Sequence, residues 1–394
     1  MRSSDRAVGP EIRWLFPVRT NYSSMEYVQE EIATLHAYDD PDPPAPVDRT
    51  AVVVPLADRD HGTPAAEGVF EALERAGPGR VVVALQAAPE QVGDAVDWLE
   101  TFEIPLSVLW CNAPGVETVL ADAGIAGQAG DGKGRDVWLA LGVASDAEYV
   151  VVHDADATTF DRTHLPRLVF PLANDYTFVK GYYARVENNR LYGRLCRLFV
   201  VPLLRTLAAE HDTDLLRYLS AFRYPLAGEF ATTGDLARHL RLPRGWGLEV
   251  GTLGDAFVQA GTAGTAQVDL GTHEHDHRPV AGTRGLGEMA REVGRTLLTV
   301  LEAAGVDPDY TSLPERYRAT GERFVDRYAA DAAFNGLEHD AAAERAQVQR
   351  YADGIAPPAA DDRLPAWQNT PVDPGVVAER SAEALADLGA TPRR

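Results

Sequence analysis

The sequence predicts an α/β fold with a parallel sheet and helices on both of its faces. Two observations predict it. Short runs of continuous apolar residues, many of them β-branched, recur between residues 51 and 156. Stretches with the spacing of amphipathic helices separate these runs. This alternation is typical of βαβ units, in which helices cover the strands of a parallel sheet.

Four strands and four helices are predicted in this region. The strands are 51–56, 81–85, 105–111 and 148–156, and the helices are 66–76, 90–102, 116–123 and 136–144. Upstream, we expect a helix over 25–36, followed by a linker at the Pro/Asp run DDPDPPAP.

Beyond residue 160 the alternation ends. We expect a strand at 176–183, a helix at 192–209, loops rich in Gly and Pro, and a helix that begins near Val250. Helical spacing over 284–304 and 314–351 predicts further helices. The tail from Gly354 is loop-like and closes with a short helix.

Composition excludes several classes of protein. The chain has 394 residues, 45% hydrophobic and 24% charged, which is the composition of a folded protein of one large or two ordinary domains. Its apolar runs fall short of the ~20 residues that cross a bilayer, so no membrane partner is expected. The N-terminus has no apolar signal segment, and two cysteines, Cys111 and Cys196, cannot form a disulfide framework. We therefore expect a cytoplasmic protein.

The charge is strongly negative. A net charge of −22 argues against a nucleic-acid partner, which would be held through its phosphates. Only two of the 37 basic residues are lysines, Lys133 and Lys180. An acidic, lysine-poor chain is expected in a cytosol with molar salt, where screening makes dense like charge tolerable. A GC-rich coding bias that favours arginine is the alternative explanation.

The pair Asp154 and Asp156 is the most informative motif. It directly follows a predicted strand, and ligands of open parallel sheets bind at the carboxyl ends of strands. Carboxylate oxygens suit Mg²⁺ or Mn²⁺ that bridges a diphosphate. The alternative is one helix-capping aspartate and one solvated aspartate.

The glycine cluster around Lys133 could cradle a phosphate with backbone N–H groups. It nearly matches the P-loop, but Gly134 stands where that motif has Ser or Thr, and the preceding segment reads as helix. An NTPase is therefore disfavoured, and an ordinary loop at a helix start stays open. For Lys180, a solvated edge lysine and a ligand contact are both open.

Histidines alternate at 273, 275 and 277, and on an extended segment all three would face one side, as a metal site requires. An exposed polar strand is the alternative. The spacing is one residue short of the H-x-H-x-D-H pattern of binuclear hydrolases. Glu249, beside a predicted helix start, is either a carboxylate favoured by the helix dipole or a site residue.

Taken in order, these motifs resemble the retaining GT-A glucosyl-3-phosphoglycerate synthase family. The resemblance covers roughly residues 130 to 290. The matching motifs are Gly132-Lys133-Gly134, Asp154-x-Asp156, Val179-Lys180-x-x-Tyr183-x-Arg185, Gly193-Arg194, Pro202-Leu203-Leu204, Pro225-Leu226-x-Gly228-Glu229-Phe230-Ala231, Gly245-Trp246-Gly247-x-Glu249-x-Gly251, Leu270-Gly271 and His275-x-x-Arg278-Pro279.

The resemblance implies a mixed, mainly parallel Rossmann-like sheet with a C-terminal helical extension. It divides the chain into an N-terminal extension and linker (1–50), a nucleotide-sugar-binding half (51–156), an acceptor-binding half (157–290) and C-terminal helices and tail (291–394). It implies transfer of a hexose, with UDP-glucose as the favoured donor, to 3-phosphoglycerate or glycerate with retention, for synthesis of a compatible solute. Mg²⁺ or Mn²⁺ would be the cofactor, and a homodimer is expected.

The resemblance also implies residue roles. Asp156 and His275 would ligate the metal, and Glu229 and Glu249 would be the catalytic residues beside the sugar and the acceptor hydroxyl. The donor-binding residues would be Lys133, Asp154, Gly228 and Trp246, and the acceptor-binding residues Arg194, Cys196, His277 and Arg278.

The chain departs from the family in four places. Pro55-Leu56-Ala57-Asp58-Arg59-Asp60 retains little of the family's N-terminal donor motif, and Cys111-Asn112 replaces an Asp-Ser pair. Cys196 and His277 replace a Thr and an Asn of the acceptor region. The nucleotide of the donor, UDP or GDP, and its sugar, glucose or mannose, therefore both stay open. Two alternatives are kept: a polyprenyl-phosphate or other small-acceptor sugar transferase, and a non-catalytic binding protein with a decayed donor site.

Overall fold

A computed structural model describes residues 29–125, 132–274, 282–358 and 360–391. Its strands are β1 (Ala33–Leu35), β2 (Thr50–Ala57), β3 (Arg80–Gln86), β4 (Leu106–Trp110), β5 (Tyr149–Val152), β6 (Phe178–Ala184), β7 (Val186–Glu187), β8 (Arg190–Leu191), β9 (Phe230–Thr233) and β10 (Thr265–Thr272).

The helices are α1 (Pro64–Ala76), α2 (Pro89–Leu99), α3 (Pro114–Asp122), α4 (Lys133–Ala144), α5 (His164–Leu172), α6 (Val201–Leu207), α7 (Asp214–Ala221), α8 (Gly234–Ala237), α9 (Leu248–Ala260), α10 (Gly282–Ala303), α11 (Leu313–Asn335), α12 (Ala341–Ala352) and α13 (Pro374–Asp387). A π-helix, Cys196–Val200, leads into α6.

Eight strands form one sheet in the order β1-β10-β6-β9-β5-β2-β3-β4. Neighbouring strands are parallel except at β9, which is antiparallel to both β5 and β6. The continuous apolar runs of β2, β3 and β5 are buried because helices cover the sheet. The predicted fold class, a mixed and mainly parallel α/β sheet with C-terminal helices, is confirmed.

Local sequence signals explain how individual helices begin and end. At α1, the Thr63 side chain accepts a hydrogen bond from the Ala66 amide, and Pro64 occupies the first helical position. The helix ends at Gly77, whose φ of 67° lies in the left-handed region that glycine adopts without strain. Asp340 caps α12 in the same way as Thr63 caps α1.

The helix predicted over 25–36 is wrong for its described part. Residues 33–35 form β1, which extends the sheet beside β10 with Ala33 opposite Ala266. The Thr34 hydroxyl accepts a hydrogen bond from the buried Gln267 side chain, 2.9 Å away. Helical spacing in the sequence is overridden here because an open sheet edge offers hydrogen bonds to a distant segment.

Two further predictions need correction. The Gly- and Pro-rich sequence after residue 209 predicts loops, but this stretch contains α7 and β9. The helical spacing over 314–351 belongs to two helices, α11 and α12, because Gly336 adopts a φ of 68° and ends the first. The strand β10, which lies before the histidines, was not predicted.

The C-terminal tail is fastened to α4 by two tryptophans. The rings of Trp138 and Trp367 stack with their centroids 4.1 Å apart. The Trp138 Nε1–H donates to the Pro365 carbonyl at 2.8 Å, and the Trp367 Nε1–H donates to the Trp138 carbonyl at 2.7 Å. A Cβ atom on Gly142 would lie 2.3 Å from the Trp367 ring, so glycine is needed at this contact.

The C-terminal helices are joined to the π-helix by a buried ion pair. The Arg197 guanidinium donates to Oε1 of Glu344 at 2.7 Å, and Nε2 of His339 lies 3.0 Å from Oε2 of the same carboxylate. Among the described residues, none of the helices combines the length and the apolar sequence that a membrane span requires.

Candidate active site

Sheet topology brings the acidic residues to one edge. Asp154 and Asp156 follow β5, whose carboxyl end points the same way as those of the other parallel strands. Because β9 runs the opposite way, its first residues lie at that same edge, with Phe230 opposite Val152. Glu229, which precedes β9, therefore lies beside the segment that follows β5.

Lys133 and Asp154 form an ion pair at this edge. The Nζ atom of Lys133, the first residue of α4, lies 2.5 Å from Oδ1 of Asp154. Burial alone would lower the pKa of Lys133, but the carboxylates of Asp154, Glu249 and Asp156 outweigh burial and raise that pKa. The ammonium therefore stays charged, and the three carboxylates lie within its electrostatic reach.

Gly228 allows the Asp154 carboxylate to approach the chain before β9. A Cβ atom on Gly228 would stand 2.5 Å from Oδ2 of Asp154, a distance that non-bonded carbon atoms do not tolerate. The space that a side chain would fill is thus occupied by the carboxylate.

His153 and Glu229 are buried below this edge. The His153 Nδ1–H donates to the Asp154 carbonyl at 2.7 Å, and its Nε2 lies 3.9 Å from Oε1 of Glu229. Burial lowers the pKa of His153, although the Glu229 carboxylate opposes this shift. The imidazole is therefore neutral near pH 7, and its Nε2 atom faces the Glu229 carboxyl group.

Lys180 is buried rather than solvated at an edge. It lies in β6 opposite Phe230, is 1% exposed, and donates through Nζ to the Ala227 carbonyl. Burial lowers the pKa of Lys180 to about 8, while Glu249 and Glu229 act in the opposite direction. The edge-lysine interpretation is wrong, because β9 and β10 flank β6 on both sides.

The Gly-Lys-Gly motif packs against the loop that precedes α9. The amides of Gly132 and Arg135 both donate to the Arg244 carbonyl at 3.0 Å, and a Cβ atom on Gly134 would lie 2.0 Å from the Pro243 carbonyl oxygen. The same loop carries Trp246, whose side chain is half exposed. Two motifs separated by about a hundred residues in sequence thus meet at one edge of the sheet.

Glu249 lies in the first turn of α9, which begins after Gly247. The φ of Gly247 is 102°, and a Cβ atom there would lie 2.6 Å from Oγ1 of Thr296. The turn therefore needs glycine, and it places Glu249 near the positive end of the helix dipole and within the field of both lysines.

Asp156 is exposed. Its predicted partner His275 lies outside the described residues, as do His277 and Arg278. The residue before His275, Glu274, is hydrogen-bonded to Thr158, two residues after Asp156. The Glu274 carbonyl accepts hydrogen bonds from the Thr158 amide at 2.9 Å and the Thr158 hydroxyl at 3.1 Å. Within the described residues, no cluster of three His, Cys, Asp or Glu side chains could hold a metal ion.

The predicted acceptor residues differ in exposure. Arg194 is exposed at the start of the helical segment, whereas Cys196 is 2% exposed in the π-helix. Burial raises the pKa of the Cys196 thiol to about 12, so it stays protonated. It lies within the electrostatic field of Lys180 and Arg185, which connects this region to the site.

Two residues of this site were not singled out as site residues from the sequence. His153 had no signal beyond its place before Asp154. Lys180 did have a signal, because the chain contains two lysines in 394 residues and the structure places both at this edge.

Comparisons with known proteins identify the family. No family model matches the chain. The glucosyl-3-phosphoglycerate synthase of Methanococcoides burtonii is 34% identical over 354 residues, which are 83% of this chain and 87% of that protein. The same enzyme from Persephonella marina is 32% identical over 292 residues, 70% of this chain and 72% of that protein.

Solved structures of glucosyl-3-phosphoglycerate synthase from Mycobacterium tuberculosis share the fold. One, in complex with phosphoglyceric acid, has a TM-score of 0.53 at 24% identity over 71% of this chain and 90% of that chain. Another, in complex with Mn²⁺, UDP and glucosyl-3-phosphoglycerate, has a TM-score of 0.52 at 24% identity over 70% of this chain and 89% of that chain. The chain belongs to the glucosyl-3-phosphoglycerate synthase family of glycosyltransferases.

Proposed function

We propose that this protein transfers glucose from UDP-glucose to the 2-hydroxyl of 3-phosphoglycerate with retention of configuration. The observation that carries the proposal is the ion pair of Lys133 with Asp154 at the sheet edge, among the carboxylates Glu229, Glu249 and Asp156. Two relatives over most of the chain bear the name of this activity.

The donor set at the edge fits a hard divalent cation. Asp156 is an exposed carboxylate, and Mg²⁺ and Mn²⁺ prefer oxygen ligands. We assign Asp156 and His275 as the residues that would hold Mg²⁺ or Mn²⁺. When bound, the cation supplies positive charge for the diphosphate that leaves the sugar.

The end of β10 supports His275 as the second ligand. The His273 amide donates to the Ala184 carbonyl at 2.9 Å, and its ring stacks on Tyr183 with the centroids 3.9 Å apart. Together with the hydrogen bonds between Glu274 and Thr158, these contacts hold the chain that precedes His275 beside the chain that follows Asp156.

Lys133 is proposed to bind the donor. Its ammonium has three N–H donors, so it can keep Asp154 as a partner and also donate to a phosphate oxygen. Asp154 would accept from the ribose, and the half-exposed indole of Trp246 offers an apolar face near the nucleotide sugar. Gly228 leaves room for the Asp154 carboxylate.

Glu229 and Glu249 are proposed as the catalytic carboxylates. Glu229 lies below the edge, beside neutral His153, and is proposed to face the sugar. Glu249, less buried at the start of α9, is proposed to bind the sugar or orient the attacking acceptor hydroxyl. Arg194 and Arg278 would bind the acceptor phosphate and carboxylate, with His277 and Cys196 beside them.

A cytoplasmic homodimer adapted to high salt belongs to the same proposal. The salt adaptation is supported by a net charge of −22 with only two lysines, and the cytoplasmic location by two buried free cysteines. The homodimer follows from the family resemblance alone. Unfolding midpoints should rise along a KCl series, because salt screens the repulsion between carboxylates. A protein that is fully stable without salt would favour the coding-bias explanation.

The experiment is a screen of UDP-glucose and GDP-mannose against 3-phosphoglycerate and glycerate, read by mass spectrometry. We expect a glucosyl-3-phosphoglycerate product from UDP-glucose that disappears when EDTA removes divalent cations. Titration calorimetry of the same nucleotide sugars, with and without Mg²⁺, separates the alternatives. Binding without any product would favour a non-catalytic binding protein or a different acceptor, and no metal-dependent binding would contradict the proposal.

A further inference from the structure

We propose that Lys180 is a positioning residue, which holds residues 227–229 so that Gly228 stays against Asp154 and Glu229 stays below the site. This inference rests on the proposed function, since it assigns Lys180 a task in the same donor site. Residues 227–229 are called the 227–229 segment below.

The strand β6 holds the 227–229 segment at both of its ends. At one end, Nζ of Lys180 donates to the Ala227 carbonyl. At the other, the amide of Gly181 donates to the Glu229 carbonyl at 3.0 Å. A Cβ atom on Gly181 would stand 3.3 Å from that same oxygen, so the two chains approach closely. The side chain of Lys180 thus supplies one of the two polar attachments.

The 227–229 segment contacts the donor-binding pair, Lys133 and Asp154, through Asp154. Between its ends is Gly228, the residue against which the Asp154 carboxylate rests. Asp154 in turn binds Nζ of Lys133 at 2.5 Å. A shift of the 227–229 segment would therefore move Asp154 and the ammonium that we assign to the donor phosphates.

The environment of Lys180 is charged on several sides. Glu249, Glu229 and Asp154 attract its ammonium, and Lys133 repels it. A buried ammonium costs free energy unless it is hydrogen-bonded and paired, and an apolar side chain would often serve stability equally well. The chain uses only two lysines and buries one here, which favours a role in the site over a role in stability alone.

The test compares Lys180→Met with Thr232→Val in the full-length protein. Thr232 is a matched control: it is fully buried in β9, and its hydroxyl donates to the Thr177 carbonyl at 3.1 Å, at the other end of the same strand pair. Each variant removes the hydrogen bonding of one buried side chain to backbone carbonyl groups. The first readout is hydrogen–deuterium exchange of peptides that cover residues 224–231.

We expect Lys180→Met to speed exchange in the 227–229 segment, while Thr232→Val leaves that segment at the wild-type rate. If Lys180→Met does not fold, Lys180→Gln, which keeps an N–H donor on a shorter side chain, enters the same comparison. Its exchange in the segment should be measurably faster than in both the wild type and Thr232→Val. Exchange in the 227–229 segment that is equal to the control overturns the inference.

The second readout is steady-state kinetics with UDP-glucose and 3-phosphoglycerate. We expect Lys180→Met to lower kcat/KM for the donor by about 10-fold or more, with KM for the acceptor unchanged, because the donor-binding pair is displaced. Equal kinetics in the Lys180→Met and Thr232→Val variants would overturn the inference. If the wild type binds no nucleotide sugar, the proposed function fails, and the exchange readout still decides whether Lys180 holds the segment.

Discussion

Gly228 and Asp154 are in such close contact that a single added carbon would separate them. The position of a Cβ atom on Gly228 is 2.5 Å from Oδ2 and 2.9 Å from Cγ of Asp154. Asp154 follows β5 and Gly228 precedes β9, so this contact joins the two strands at the edge where Lys133 binds the same carboxylate.

Replacing Gly228 with alanine should weaken donor use without unfolding the protein. The methyl group would push the Asp154 carboxylate away from Lys133, and a misplacement of about 1 Å can cost up to 100-fold in rate. We expect kcat/KM for UDP-glucose to fall by at least about 10-fold. Gly93→Ala, inside α2 where an added methyl group would meet no neighbouring atom, is the control and should be at least as stable as the wild type. Unchanged kinetics for Gly228→Ala would contradict the assignment.

Lys133→Met should weaken binding of UDP-glucose by about 10–100-fold, since hydrogen bonds to a charged group contribute about 1.5–3 kcal/mol. The measurement is titration calorimetry in the presence of Mg²⁺. Arg75→Ala removes a cation from the exposed surface of α1, where its partner is Glu71, and serves as the control. Equal affinities of the two variants for UDP-glucose would show that Lys133 does not bind the donor.

The sequence was sufficient to predict the elements between residues 51 and 156, because each consists of local residues with strong spacing. It was insufficient for β1 and β9, since the three residues of β1 and the four of β9 become ordered only through partners far along the chain. It was also insufficient for the eight residues of β10, which pair with β1 and β6. Helical spacing over 25–36 therefore led to a wrong prediction for residues 33–35, which form β1.

The site likewise has residues that could be predicted from the sequence and features that could not. Asp154, Lys133 and Glu229 were predicted through their motifs, and the structure brings them to one edge. The burial of Lys180 was not predictable from alternation along β6, which says which residues share a face but not whether that face is covered. The strand β6 is an inner strand because β9 lies between β5 and β6, and the Lys180 side chain meets the chain that precedes β9, where the Ala227 carbonyl accepts from Nζ.

Lys180 should give the protein a specific dependence of stability on pH. Its pKa is lowered to about 8 in the folded protein, below the ordinary lysine value of the unfolded chain. Well below pH 8, Lys180 is protonated in both the folded and the unfolded protein, so it gives the unfolding free energy no pH dependence. Between pH 8 and the ordinary value, only the unfolded chain holds it, so the unfolding free energy rises with pH by at most about 1.4 kcal/mol per unit.

The check is denaturant unfolding of the wild type and of Lys180→Met from pH 7 to pH 10. The difference between the two curves isolates Lys180 from other titrating groups. The wild type should gain stability relative to the variant as the pH rises above about 8. A difference that stays constant over this range would show that the folded lysine titrates at its ordinary pKa.

Trp367→Ala should lower the unfolding free energy by about 3–5 kcal/mol, because it removes a buried ring and leaves a cavity against Trp138. Denaturant unfolding measures this loss. Phe334→Ala is the control, since its ring is 89% exposed and its loss should cost no more than about 0.5 kcal/mol. A small effect at Trp367 would mean that the tail does not support α4.

The anomalous diffraction of Mn²⁺ in crystals grown with UDP shows directly whether Asp156 and His275 bind the same cation. We expect one Mn²⁺ peak within ligand distance of both an Asp156 carboxylate oxygen and an imidazole nitrogen of His275, with the Lys133 ammonium bound to the diphosphate. A Mn²⁺ peak that lacks either Asp156 or His275, or a UDP bound away from Lys133, would contradict this expectation.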